Sequence, residues 1–117
     1  MFDFEKLDVY QLVKEQNVKV LLYLKSNKDL DPYILDQWKR SSMSMLLNLA
    51  EGTGRMTDAD KRNFLTIARG SVFECVAILD LVHSLKLIEK EKFEDFYLGY
   101  ESISKMLLGM YRSYSKS

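Results

Sequence analysis

Only one proline and five glycines occur among the 117 residues, too few for the many tight turns of a β-sandwich. A single cysteine excludes an internal disulfide framework and any multi-thiolate metal site. A single histidine excludes imidazole-rich metal centres and leaves a Ser-His-Asp triad one possible base. Net charge is missing too, because seventeen basic residues balance seventeen acidic ones. Long apolar runs are absent. The longest clean ones, such as Cys75 to Leu79, end at a charge after five residues, against the roughly 20 that a membrane-spanning helix needs. The opening Met1-Phe2-Asp3-Phe4-Glu5 is acidic where a secretory leader would be basic, and no apolar stretch follows. These absences lead us to expect a cytoplasmic protein with a reduced thiol, no membrane segment, no metal and no cofactor.

What is present suits one folded domain, residues 1–117: 47% of residues are hydrophobic and 29% charged. Apolar residues recur at steps of three and four, the period of a helical face, in four segments. The first runs from about Leu7 to Lys25 with Leu7, Tyr10, Val13, Val20, Leu21 and Leu24, and stops in the polar cluster Ser26 to Asp29. The second opens at Asp31 as N-cap with Pro32 at the first position. It buries Tyr33, Ile34, Trp38, Met45, Leu46, Leu49 and Ala50, and closes at Gly52 as a left-handed C-cap. A third starts at Thr57, where Thr57-x-x-Asp60 resembles a capping box. It is so apolar between Val72 and Val82 that it must be central or covered by another subunit. The fourth, Glu89 to Tyr114, places Phe93, Phe96, Tyr100, Ile103, Leu107, Met110 and Tyr114 on an unbroken heptad seam, which favours packing over base-stacking. Short connections between long helices force antiparallel neighbours. The expected fold is an all-α, antiparallel up-down-up-down four-helix bundle.

The densest cluster of unusual residues spans the second loop: Asn48-Leu49-Ala50-Glu51-Gly52 before it, Ala68-Arg69-Gly70-Ser71 and then Glu74 after it. Together with the opening Phe4-Glu5-Lys6-Leu7-Asp8-Val9-Tyr10, these elements resemble the four-helix-bundle proteins encoded in intervening sequences of bacterial 23S rRNA genes. The same family includes the accessory variability determinant of diversity-generating retroelements. Nearly the whole chain takes part, with two departures: Met45 where isoleucine is usual, and Lys86 in the last turn where glycine is common. The resemblance implies a non-enzymatic protein, often a ring-like homopentamer, whose best understood relatives bind nucleic acid and a protein partner through a strongly basic surface. Here residues 36–69 hold Lys39, Arg40, Arg55, Lys61, Arg62 and Arg69 against Asp36, Glu51, Asp58 and Asp60, an excess of two. Lys39, Arg40, Arg55, Lys61 and Arg62 are the candidates for contacts to structured RNA.

Two readings compete for the polar residues of the middle helices. Ser44, Asn48 and Glu51 share one face of the second helix, and Ser71 and Glu74 one face of the third. One reading is a small-ligand or catalytic pocket with Glu51 and Glu74 as acid and base. The other, preferred, is a structural network in which arginines answer the glutamates and Asn48 bonds the loop backbone. The motif residues Asn48, Glu51, Gly52, Arg69, Gly70, Ser71 and Glu74 are then expected to maintain the fold. Gly70 inside a helix points to close approach of another backbone, within the bundle or across a subunit boundary. Cys75 reads as a small core hydrophobe, and His83 as a helix-end residue at the negative end of the dipole.

Overall fold

Helix-capping chemistry sets the starts of the two middle helices in the computed structural model, which describes residues 1–115. Helices α1 (Asp8–Ser26), α2 (Pro32–Thr53), α3 (Asp58–Ser84) and α4 (Lys90–Ser113) follow a short 3₁₀ turn at Asp3–Lys6. At the start of α2, Asp31 Oδ1 accepts from the Tyr33 backbone N–H at 2.8 Å, with Pro32 first in the helix. At the start of α3, Thr57 Oγ1 accepts from the Asp60 N–H at 3.1 Å. Both caps match the expectation. The 3₁₀ turn does not follow from the periodicity. It is held by Gln11 Nε2 donating to the Glu5 carbonyl at 3.1 Å and by Phe4 packing on Tyr10, with ring centroids 4.8 Å apart.

Each helix packs on its neighbours in sequence, and α1 returns to α4, which closes the antiparallel four-helix bundle. It measures 47 × 24 × 22 Å. The interior is one cluster: Val13, Val20 and Leu24 of α1, Trp38, Met45 and Leu49 of α2, Ala68, Val72, Cys75 and Leu79 of α3, and Phe96, Tyr100, Ile103 and Leu107 of α4. Each large side chain so enclosed contributes about 1.5–3 kcal/mol by leaving water. The heptad seam of α4 therefore lies where its spacing predicts.

Several expectations need correction. Tyr33 is exposed, because Ile34 and Leu35 of the same turn face the core and leave Tyr33 on the outer side of α2. Gly52 is not a left-handed cap. No glycine has a positive φ, and α2 runs on through it to Thr53, ending at Gly54 with φ −86°. Thr53 Oγ1 on the Ala50 carbonyl at 2.7 Å and Gly54 N–H on the Glu51 carbonyl at 3.0 Å close that last turn. Gly52 is instead where α2 meets α3, since a Cβ there would lie 2.9 Å from Phe64 Cβ. Gly70 is exposed and a Cβ on it would meet nothing within 4 Å. The close approach expected at Gly70 within the bundle therefore occurs at Gly52.

The gap in the apolar pattern of α1 is filled by buried polar residues. Gln16 Nε2 donates to the Phe96 carbonyl at 2.8 Å, in the space left by Gly99, where a Cβ would come within 2.0 Å of Gln16 Oε1. The next residue, Asn17, points to the other neighbour, its Nδ2 donating to the Ser42 carbonyl at 2.7 Å. The departure at Lys86 has a geometric counterpart. This is the one non-glycine residue with positive φ among the described residues, at 61°. Lys86 N–H reaches the His83 carbonyl and Leu87 N–H the Val82 carbonyl, at 3.0 and 3.1 Å, the pair of bonds that defines a Schellman motif.

Candidate functional site

The polar residues of the second loop lie along the seam of α2 and α3, which form the most extensive helix pair in the bundle. Small side chains allow this. Ser41 and Ser42 are buried on α2, and Ala68 and Ser71 on α3. Ser71 Oγ lies 2.8 Å from Ser44 Oγ and 3.2 Å from the Ile67 carbonyl of its own helix. Asn48 Nδ2 donates to the Ser44 carbonyl at 2.8 Å and lies 3.1 Å from Ser44 Oγ. Asn48 thus bonds its own helix rather than the loop backbone, because the carbonyl of Ser44, one turn back, lies on the same face.

The two glutamates do not meet. Glu51 Oε1 pairs with Arg55 Nη2 at 2.9 Å, on the surface and one helical turn away. Glu74 Oε2 accepts from Ser41 Oγ at 3.2 Å. Ser41 and Glu51 are ten residues apart on α2, so the carboxylates sit at levels about 15 Å apart along the bundle. No cavity found among the described residues is lined by both. Arg69 turns the other way, toward α4: its Nε donates to the Ser104 carbonyl at 3.3 Å and its guanidinium lies 4.9 Å from the Phe73 ring centre. The seven motif residues therefore divide. Asn48, Gly52, Ser71 and, through Ser41, Glu74 join the seam. Glu51 pairs on the surface, while Arg69 and Gly70 face outward from the α2–α3 contact.

The chemistry available in the core is structural. Trp38 Nε1 donates to Tyr100 Oη at 2.9 Å, both side chains being wholly enclosed. Ser42 Oγ lies 4.0 Å from Cys75 Sγ. Burial drives the Cys75 thiol up to about 11, outweighing the lowering hydrogen bonds of Tyr100 and Ser42. Burial likewise raises the Tyr100 phenol well above its ordinary value. A buried thiol kept protonated is a poor nucleophile. His83 is exposed in the last turn of α3, stacked on Phe93 with centroids 4.0 Å apart. Among the described residues no three His, Cys, Asp or Glu side chains gather as a metal would require, and no helix is long and apolar enough to cross a membrane. Sequence reasoning missed Gln16, Asn17, Ser41 and Ser42. The available signal was polar or small residues at positions where the 3.6-residue period calls for apolar ones.

The five candidate RNA contacts are split between two regions. Arg55 lies over the Phe64 ring at 4.4 Å, Lys61 over the Tyr114 ring at 5.2 Å, and Arg62 donates to the Tyr114 carbonyl. These three mark the end where α2 finishes and α3 begins. Arg40 pairs with Asp36 at 2.9 Å. Lys39 borders a recess with Lys25 and Lys28 near the opposite end, and the sixteen residues from Lys39 to Arg55 span about 24 Å.

The other exposed feature is apolar. Ile67, Phe73 and Leu81 on α3 and Tyr97 and Leu98 on α4 are about half exposed. An open groove of about 580 Å³ runs between these helices, with Phe73, Tyr97, Arg69, Asp80, Glu101 and Lys105 along it.

The fold is that of a solved relative. A protein of unknown function from the S23 ribosomal protein family of Bacteroides thetaiotaomicron is 25% identical and superimposes with a TM-score of 0.84, covering 88% of this chain and 97% of that one. No functionally curated protein matches the chain. A sequence model described as 23S rRNA-intervening sequence protein matches residues 5–109. That match takes in all of α1, α2 and α3 and the polar seam between the middle two, and with it the chain belongs to the 23S rRNA-intervening sequence protein family.

Proposed function

We propose that this chain is a non-enzymatic, homo-oligomeric scaffold of the cytoplasm, built to present repeated surfaces to a partner, structured RNA or another protein. The observation that carries the reading is the half-exposed apolar surface of α3 and α4, from Ile67 and Phe73 to Tyr97 and Leu98. Of these side chains Phe73 and Tyr97 line one open groove between the two helices, and copies of the same chain are the commonest cover for apolar surface left in water. The glutamates that an active site would need support the same reading. Glu51 is ion-paired, Glu74 is hydrogen-bonded, and they stand apart on the bundle. Assembly also bears on the basic residues. A single copy divides them between its two ends, whereas repetition around an axis would gather each set into a ring.

Light scattering on the purified protein tests the assembly. A native mass that is a multiple of 13.7 kDa is expected, five-fold for the pentamer that the family resemblance implies. A monomer at micromolar concentration would refute the scaffold. Titration of a labelled structured RNA across a salt series tests the partner. Affinity that falls linearly in log salt would place phosphates on the basic rings. Absence of binding at low salt would remove RNA and leave a protein as the partner.

A further inference from the structure

The face of α1 turned away from the core carries a second unpartnered apolar strip. Val18 and Leu22, one turn apart, are both more than half exposed. Glu15 and Lys25 flank them on the same face, at steps of three, four and three. Neither charge has an oppositely charged partner among the described residues, in contrast to Lys19, which is taken by Asp95 at 2.9 Å.

The groove between α3 and α4 repeats this arrangement with the signs reversed. Along α3 come Arg69, then Phe73 and Ala77, then Asp80. Lys105 of α4 lies beside the Arg69 end, since Arg69 bonds the Ser104 carbonyl. None of Arg69, Asp80 and Lys105 has an ion-pair partner among the described residues. Glu15 to Lys25 is ten residues, about 15 Å of helix, and Arg69 to Asp80 is eleven, about 16 Å. Laid side by side in the same direction, the helices set Glu15 against Arg69 and Lys105, Val18 and Leu22 against Phe73 and Ala77, and Lys25 against Asp80.

From this match we infer that α1 of one copy docks into the α3–α4 groove of the next, parallel to α3. The inference rests on the homo-oligomeric reading above and specifies its interface. Chain direction agrees with it, because α1 and α3 run the same way in an up-down-up-down bundle. Copies related by rotation about an axis along the bundle present their helices in that parallel sense. The interface is heterologous, front to back, so each copy offers one strip and one groove. Because α1 adjoins α4, the two faces are not diametrically opposed, and successive copies turn as they add. By contrast, the outer charges of α2 other than Lys39 are paired within the chain, as Asp36–Arg40 and Glu51–Arg55.

Cysteine pairing tests the match, and the native Cys75 is buried and out of reach. The variants are Val18→Cys, Phe73→Cys and the two together, at exposed positions whose replacement spares the core. Under mild oxidation the double variant should give a ladder of covalent dimers, trimers and higher forms. Each single variant alone should give none, and mixing the singles should give dimers only. Self-linking of either single variant, or no ladder from the double variant in a protein that light scattering shows to be multimeric, would overturn this interface and leave the scaffold standing. A monomeric native mass would overturn both.

Discussion

Exchanging glycine for alanine at two helical positions should move stability in opposite directions. At an exposed helix interior, alanine is favoured over glycine by about 0.8–1 kcal/mol. Gly70 meets that condition, since an added Cβ has no neighbour within 4 Å. Gly70→Ala should gain most of that amount, raising the urea midpoint by about 0.5 M for a slope near 1.5 kcal/mol per M. Gly52→Ala gains the same propensity but drives its methyl to 2.9 Å from Phe64 Cβ. Neither atom can rotate away, because both are fixed to helical backbone, so α2 and α3 must separate by about half an ångström. Overpacking of this kind costs about 1–3 kcal/mol, and the net is a loss of about 1 kcal/mol. The assay is urea unfolding followed by circular dichroism at one protomer concentration, because assembly makes the midpoint concentration-dependent. Equal gains in both variants would refute the assignment of the close approach to Gly52. A loss in Gly70→Ala beside a gain in Gly109→Ala, which is equally open, would mean that another copy's backbone lies against Gly70.

Lys86→Gly should stabilise by about 1 kcal/mol, because φ 61° strains a residue with a Cβ; an unchanged or lower melting temperature would contradict the Schellman geometry. Tyr100→Phe removes the acceptor of the enclosed Trp38 N–H and should cost about 1–3 kcal/mol, read by tryptophan fluorescence during unfolding. Stability should also fall at alkaline pH. The Cys75 thiol is held up to about 11 in the folded protein, so its contribution is complete below the ordinary thiol range and is lost as pH rises through about 11. The slope approaches one proton, about 1.4 kcal/mol per pH unit. Stability flat from pH 8 to 11 would count against this burial. In the same range an alkylating reagent should label Cys75 only as fast as the chain unfolds.

Much of the fold was legible because local chemistry and global packing agree. Asp31 and Thr57 start helices by accepting bonds from their own first turns, and Pro32 by its fixed φ, which needs no knowledge of a partner. The seam of α4 buries Phe96, Tyr100, Ile103 and Leu107 because a strict heptad presents one face whatever lies opposite. The site was less legible for the converse reason. Ser44, Asn48 and Glu51 do share a face, but which residue of α3 each meets depends on the register between helices, and that register puts Ser41 opposite Glu74. On the same account the close approach within the chain falls at Gly52 instead of Gly70, and the cap expected at Gly52 falls at Gly54. A glycine in a helix reports that something is near it or that nothing is, and its own sequence is the same in either case. Gln16 and Asn17 were passed over because polar residues in an apolar pattern resemble a gap until their acceptors, carbonyls 80 and 25 residues away, are known.

The amide of Gln16 seated in the notch of Gly99 has a consequence for the alternatives available to the chain. A purely apolar heptad bundle tolerates one helix slipping past another by a turn, because leucine-like contacts are interchangeable. Here a slip of α1 along α4 would drive the Gln16 amide into a side chain instead of the notch and strand it, enclosed, without the Phe96 carbonyl. Both penalties fall only on the wrong alignment. Residue 16 and residue 99 therefore share one volume: a side chain at 99 leaves room only for a shorter residue at 16.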